Sequence, residues 1–265
     1  MTVRMASLSA ALLFVAPYAA APLCAQGVEY APGTKKFRVT STTMGSQSTP
    51  AGTSSFEVGI EEQITVTLMR HAKDTVMATM TLDSIAISSP GAALDLSKLK
   101  GAKYVSLVSP TGKYYSGKVP DGLDPQLSQL TDDIGKLLPT FRGNLAPGVS
   151  WTDTVSARIR PMGLAVDRTT VSNYRVDGDT TISGEKAFRI QRTASATGAG
   201  SGSMQGSPVI MEMSGTSAGS FFITPTGIYL GGSSKDDALI KLTVIQQNME
   251  VTIKQNGIKK TEPIK

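Results

Sequence analysis

The chain has 265 residues, of which 40% are hydrophobic and 18% charged, with one cysteine, one histidine and a formal charge of +5. A single cysteine excludes a disulfide framework and thiolate metal clusters, and a single histidine excludes multi-histidine metal centres. The length suits one large β domain or two fused halves, and it buries enough surface to fold without covalent staples.

Met1-Thr2-Val3-Arg4 supplies one positive charge, Ala10 to Ala21 a short apolar run broken by Pro17, and Ala25 a small residue just before a cut. These are the physical requirements of a secretory signal, so residues 1–25 are expected to be removed and the protein exported to the periplasm or the extracellular space. A buried N-terminal strand or helix is the alternative. Cleavage after Ala25 leaves 240 residues with 25 basic and 21 acidic side chains and no cysteine. Cys24 could instead carry a lipid anchor, but the bulky Leu23 before it favours soluble export. No other segment approaches ~20 uninterrupted apolar residues, so no transmembrane segment is expected in the mature chain.

Period-two alternation, the mark of half-buried strands, then dominates. It runs through Phe37-Val39, then Phe56, Val58 and Ile60, then Ile64, Val66 and Leu68. After a turn at His71-Ala72-Lys73-Asp74 come Val76, Ala78, Met80 and Leu82, with Ile85 and Ile87 one register over, as a β-bulge would place them. Later strands are read at Val105-Leu107, Val155-Ala157-Ile159, Phe188-Ile190, Val209-Met211-Met213 and Leu242-Val244. The last is Met249-Val251-Ile253, with a register change around Gln246-Gln247-Asn248.

One segment departs from this period. Leu127, Leu130, Ile134, Leu137 and Leu138 recur at helical spacing, with Asp124 as N-cap, Pro125 at the first helical position and Pro139 as terminator. An amphipathic helix over about 124–138 is predicted, and between Ser89-Pro90 and Gly101 either a short helix or a loop. Gly45–Ser55 is low in information content, and the Gly/Ser-rich Ala194–Pro208 reads as a mobile loop between strands, with a functional lid as its alternative. Lys254, Lys259, Lys260 and Lys265 read as a solvated tail, because a nucleic-acid surface would need clustered cations with stacking aromatics.

Val108-Ser-Pro-Thr-Gly-Lys-Tyr-Tyr-Ser-Gly117 and Ile223-Thr-Pro-Thr-Gly-Ile-Tyr-Leu-Gly-Gly232 match at an offset of 115 residues. Each predicts a tight turn, with Pro setting φ at the second position and Gly at the fourth. Each copy closes a run of strands (37–117 and 150–232), so two similar half-sheets are expected, about 30–118 and 148–255, within a single β-rich domain over 26–265. Two hairpins that arrived separately at the same good turn would look alike too. So many strands must curl or split. The expected fold is mainly β: a strongly curled antiparallel sheet, or half-barrel, of two similar halves with the helix on its concave face.

Catalytic patterns are weak. Gly215-Thr-Ser-Ala-Gly219 has the letters of a nucleophile elbow, but it runs on into an apparent strand and His71, the sole histidine, lies far upstream. A Gly/Ser-rich strand allowing close approach of another backbone explains it better. The two S-x-x-K matches, Ser97–Lys100 and Ser183–Lys186, lack their companion elements. The acidic pairs Glu61-Glu62, Asp132-Asp133 and Asp236-Asp237 put neighbours on different faces. No phosphate-cradling loop is present. The chain is therefore expected not to be an enzyme and to need no cofactor or metal. Its strand methionines suit irregular cores and adaptable binding surfaces alike.

Pro147-Gly148-Val149-Ser150-Trp151 and the two Pro-Thr-Gly hairpins at 110–112 and 225–227 resemble a family of exported bacterial proteins whose domain has no assigned function. The order of strands and helix also resembles the LolA/LolB-like lipoprotein carriers. That resemblance implies a half-barrel holding acyl chains against helices. The acylated cysteine of the LolB kind is not matched.

The leading expectation is an exported protein that binds a lipid or other hydrophobic, amphipathic molecule in a concave apolar cavity. Val66, Leu68, Met80, Met211 and Met213 would line its wall, and Leu127, Leu130 and Ile134 would come from the helix. The alternative is a structural or assembly module of the cell envelope whose ligand is another envelope protein. No nucleic-acid partner is expected.

Overall fold

Alternating burial builds eleven strands in the computed structural model, which describes residues 27–88, 95–122, 127, 131, 134–204 and 206–264. They are β1 (Gly33–Thr49), β2 (Gly52–Ala72), β3 (Thr75–Ser88), β4 (Lys103–Val108), β5 (Tyr114–Lys118), β6 (Ser150–Ile159), β7 (Ala165–Ile182), β8 (Glu185–Met204), β9 (Ser207–Ile223), β10 (Tyr229–Val244) and β11 (Met249–Ile264). All pair antiparallel in one sheet, in the order β5-β4-β3-β2-β1-β11-β10-β9-β8-β7-β6. The sheet is not closed into a barrel, so β5 and β6 are its edges. The first five strands meander from the centre to one edge. Residues 119–149 cross to the other, and six strands meander back until β11 pairs with β1.

The β2–β3 ladder shifts register where Gln63 faces Ser84 and Ile64 faces Leu82, which leaves Asp83 as the extra residue of a bulge. That bulge moves the apolar parity of β3 from Leu82 to Ile85. Two apolar clusters share the core-bearing face. The larger joins Phe37, Ile64, Met80 and Tyr104 of the first meander to Val176, Ile190 and Ile223 of the second, through Leu127, Ile134, Leu137, Leu138 and Phe141 of the crossover. The smaller lies toward the other end of the strands, around Val166, Met211, Ile240, Leu242 and Val251.

A strap at residues 28–31 ties the larger cluster together. Val28 N–H donates to the Gly143 carbonyl (2.6 Å), Tyr30 N–H to Pro110 (2.7 Å) and Ala31 N–H to Gly227 (3.1 Å). The Tyr30 hydroxyl donates to the Pro139 carbonyl at 2.7 Å, and its ring meets Phe141 edge-on at 5.0 Å.

Several expectations are corrected. The described residues contain no amphipathic helix: of the span 124–138, Ile134–Lys136 forms a single 3-10 turn and the chain leaves helical geometry at Leu137. Positions 124–126, 128–130 and 132–133 of that span lie outside the described residues. Residues 89–94 are outside the description as well, and Ser97–Leu99 forms a 3-10 turn. The Gly/Ser-rich stretch Ala194–Pro208 is not a loop. Gly45–Ser55 is the tip of the β1–β2 hairpin, and Ala194–Pro208 makes up the end of β8 and the start of β9, paired from Ala194↔Ser217 to Met204↔Ser207. Small residues are needed there, since a Cβ at Gly200 would come within 2.1 Å of the Ala165 carbonyl of β7.

In β4 the buried residues are Tyr104, Ser106 and Val108, the opposite parity to the predicted Val105-Leu107. Gln246-Gln247-Asn248 does not shift register within a strand. It is the turn joining β10 to β11, closed by Asn248 at φ 44°. The second copy of the repeat joins β9 to β10 and so does not end its meander. The lysine-rich C-terminal segment is no solvated tail, because β11 lies near the middle of the sheet, between β1 and β10. The predicted signal over 1–25, with Cys24, lies outside the described residues. No helix among the described residues is long and apolar enough to cross a membrane.

Candidate functional site

The ladders fix which side chains stand in one row across the sheet, because directly opposed residues of antiparallel strands share a face. One row runs Trp151–Tyr174–Arg192–Gly219–Ser234–Lys259–Ser41–Ile60 through eight strands on the core-bearing face. It opens a band of small and polar residues between the two apolar clusters, continued by Ser172, Ala194, Ser217, Asp236, Gly257 and Thr43 in the next row. A Cβ at Gly219 would stand 2.2 Å from the Ser233 carbonyl and one at Gly215 2.7 Å from that of Asp237. The stretch with nucleophile-elbow letters is thus mid-strand, where small residues let β9 and β10 approach.

Because Gly219, Ser234 and Ser41 leave parts of the row without bulky side chains, cavities remain between the crossover and the sheet. The first, about 340 Å³, has an apolar wall of Leu137, Tyr174, Phe221 and Tyr229 and a cationic wall of Lys136, Arg192 and Lys259. Tyr174 is fixed by Trp151, stacked on it at 4.9 Å and 9°. The half-buried guanidinium of Arg192 donates from Nε and Nη2 to the Ser172 hydroxyl, at 3.3 and 3.1 Å. A second cavity of about 290 Å³ shares Lys259 with the first and carries Glu62, Asp236 and Ile134. The 3-10 turn Ile134–Lys136 contributes one end to each.

A third pocket, about 120 Å³ and mostly apolar, is lined by Phe37, Val66, Leu68, Leu138 and Tyr229. Tyr229 therefore borders both the cationic cavity and the apolar pocket. Burial pushes its hydroxyl up to about 12, against the opposing pull of a hydrogen bond with Thr261.

Of the residues singled out from sequence, Val66 and Leu68 face the apolar pocket and Ile134 the second cavity. Met80 and Leu127 are in the larger cluster, Met211 is in the smaller one with Met213 packed against it, and Leu130 is outside the described residues. The seven that are described line no single cavity. Arg192 and Lys259 were missed, although Arg192 carries a signal: it follows Ile190 at the core-facing parity of β8, where a charge is unexpected. His71 is exposed at the end of β2. Among the described residues no three His, Cys, Asp or Glu side chains group as a metal site.

Neither a protein-family model nor a curated protein sequence matches the chain. Among solved structures it is similar to a domain described as that of an outer membrane lipoprotein-sorting protein from Vibrio parahaemolyticus, at 9% identity and a TM-score of 0.17, covering 82% of this chain and 83% of the other. It is also similar to a DUF1329 family protein from Desulfovibrio piger, at 7% identity and a TM-score of 0.16, with 82% and 83% covered.

Proposed function

We propose that this protein is an exported, non-catalytic binder of an amphipathic molecule, held on the core-bearing face of a curved sheet. One observation carries the reading: the cavity of about 340 Å³ has an apolar wall and a cationic wall, and shares Tyr229 with a separate apolar pocket. Its volume falls at the low end of ligand sites, roughly 300–1,000 Å³. Bulky residues at Gly219 and Ser234 would have filled this space with core; their small side chains keep it open instead. Five register shifts in the ladders, each a place where a sheet bends, support the curvature.

The test is mass spectrometry of solvent extracts from natively purified protein, with displacement of the uncharged dye N-phenyl-1-naphthylamine by extracted material. A recurring stoichiometric amphiphile is expected. Dye-negative protein that is repeatedly free of lipid overturns the reading.

A second reading, an envelope assembly module, is favoured by the edge strand β5, where Tyr114 and Tyr115 are 44% and 53% exposed. Exposed aromatic residues on an unpaired edge suit strand addition by a partner. Loss of a co-purifying envelope protein on Tyr115→Lys would separate the two readings.

A further inference from the structure

We infer that the cavity over the cross-sheet row is an anion site, in which Arg192 grips the carboxylate or phosphate head of the bound amphiphile. The inference rests on the proposed amphiphile binding and adds the chemistry of the head. A half-buried guanidinium is costly unless something negative compensates it. Arg192 has Ser172 as its hydrogen-bond partner and makes no ion pair among the described residues. Its row neighbours are Tyr174, Gly219 and Ser234, none of them acidic. Lys136 and Lys259, which have interactions of their own, line the same cavity as Arg192. The acids Glu62 and Asp236 border the second cavity instead.

Geometry favours an oxyanion head over a generic counter-charge. Ser172 takes the Nε–Nη2 edge and so orients the guanidinium plane, which leaves the Nη1–Nη2 edge to match two oxygens of one carboxylate or phosphate. Arg192 and Lys259 are three strands apart, about 14 Å at the usual ~4.8 Å strand spacing. Gly219 and Ser234 between them leave the floor of the cavity open for the head, and Lys259 lines its far side. Tyr174, the cross-strand neighbour of Arg192, and Phe221 of the same cavity then take the first carbons of the tail.

The experiment is calorimetric titration of the full exported chain with dodecanoate, dodecyl phosphate, dodecanol and inorganic phosphate, on wild type, Arg192→Gln, Lys259→Gln and the exposed control Arg175→Gln. Loss of one charge-assisted contact predicts that Arg192→Gln weakens both anionic amphiphiles by about tenfold or more, while Arg175→Gln leaves them within about twofold. Dodecanol should bind wild type and Arg192→Gln alike, and raising the salt concentration should weaken only the anions. Should Arg192→Gln fail to give folded protein by circular dichroism, Lys259→Gln is read in its place, with the same ordering and a smaller loss. Anionic amphiphiles that bind both variants as tightly as wild type overturn the anion site and leave amphiphile binding standing. Inorganic phosphate that binds as well as dodecyl phosphate, and is lost in Arg192→Gln, keeps the anion site and overturns amphiphile binding. If none of the four probes binds wild type, both fail.

Discussion

Ser109 and Thr224 hold the same place in two hairpins 115 residues apart. Each hydroxyl pairs with that of a threonine two residues on, at 3.1 Å to Thr111 and 2.8 Å to Thr226, and each accepts the backbone N–H four residues on at 2.9 Å. The backbones agree too: Gly112 and Gly227 donate to the Ser109 and Thr224 carbonyls at 3.0 and 2.9 Å, with φ of 86° and 82°. The repeat is therefore a shared hydrogen-bonding device, and both copies dock on the strap through Tyr30 and Ala31.

That docking makes the turn glycines unequal to other glycines of the same conformation. A Cβ on Gly227 would fall 1.5 Å from the Glu29 carbonyl, whereas one on Gly184, at φ 85°, meets open space. Gly184→Ala should cost only the left-handed backbone penalty, about 1–2 kcal/mol. Gly227→Ala must also expel the strap, and about 4 kcal/mol or more is expected. Urea unfolding of the two variants measures the difference, and equal midpoints would mean that the strap is not seated on the turn.

The two apolar clusters predict additivity. Met80 and Met211 are each fully buried, one in each cluster. Truncation to alanine should cost about 2–5 kcal/mol at either site. With no shared neighbours, the double variant should equal the sum within about 0.5 kcal/mol. By contrast Met69→Ala, at a side chain 54% exposed, should lie within about 0.5 kcal/mol of wild type. A coupling above about 1 kcal/mol between Met80 and Met211 would show that the band does not insulate the clusters.

How much of this was legible follows from what alternation can encode. Ile64, Val66, Met80 and Leu82 sit where period two put them, and the slip to Ile85 marked a true bulge. Parity misled in β4, because Tyr104 and Ser106 are the buried residues and neither looks more apolar than Val105. The crossover misled for a different reason. Leu127, Ile134, Leu137 and Leu138 are all buried as expected, but Leu137 and Leu138 reach that burial outside any helix. The cationic cavity was the least legible, since Arg192 and Lys259 come to line one cavity only through pairings spanning β8 to β11. A lysine-rich terminus reads as solvated until its strand is seen between two others.

Ile134 offers a test of the crossover itself. It is 2% exposed, against 54% for Ile245 in the β10–β11 turn. Ile134→Asp puts an unpaired carboxylate into the larger cluster and should cost about 4 kcal/mol or more, with increased binding of a hydrophobic dye. Ile245→Asp should be near neutral. Stability unaffected by Ile134→Asp would mean that the crossover is not part of the core.

Alkaline pH should unfold the protein through its buried tyrosines. Burial raises Tyr229 to about 12. Burial again, with the nearby Tyr229 charge adding, raises Tyr30 well above its ordinary value. An unfolded tyrosine ionises near ~10. Below that pH both states are neutral and the contribution to stability is complete. Above it the unfolded chain loses protons that the folded chain keeps, so stability falls until the folded pKa is reached. For Tyr229 the window runs from about 10 to about 12 at about 1.4 kcal/mol per pH unit. Tyr229→Phe should start less stable at pH 9, because its contact with Thr261 is gone, yet lose stability less steeply above pH ~10. Urea midpoints at three alkaline pH values give both slopes. Parallel slopes would show that Tyr229 titrates like a tyrosine in water, and its place between the cationic cavity and the apolar pocket would then be solvated.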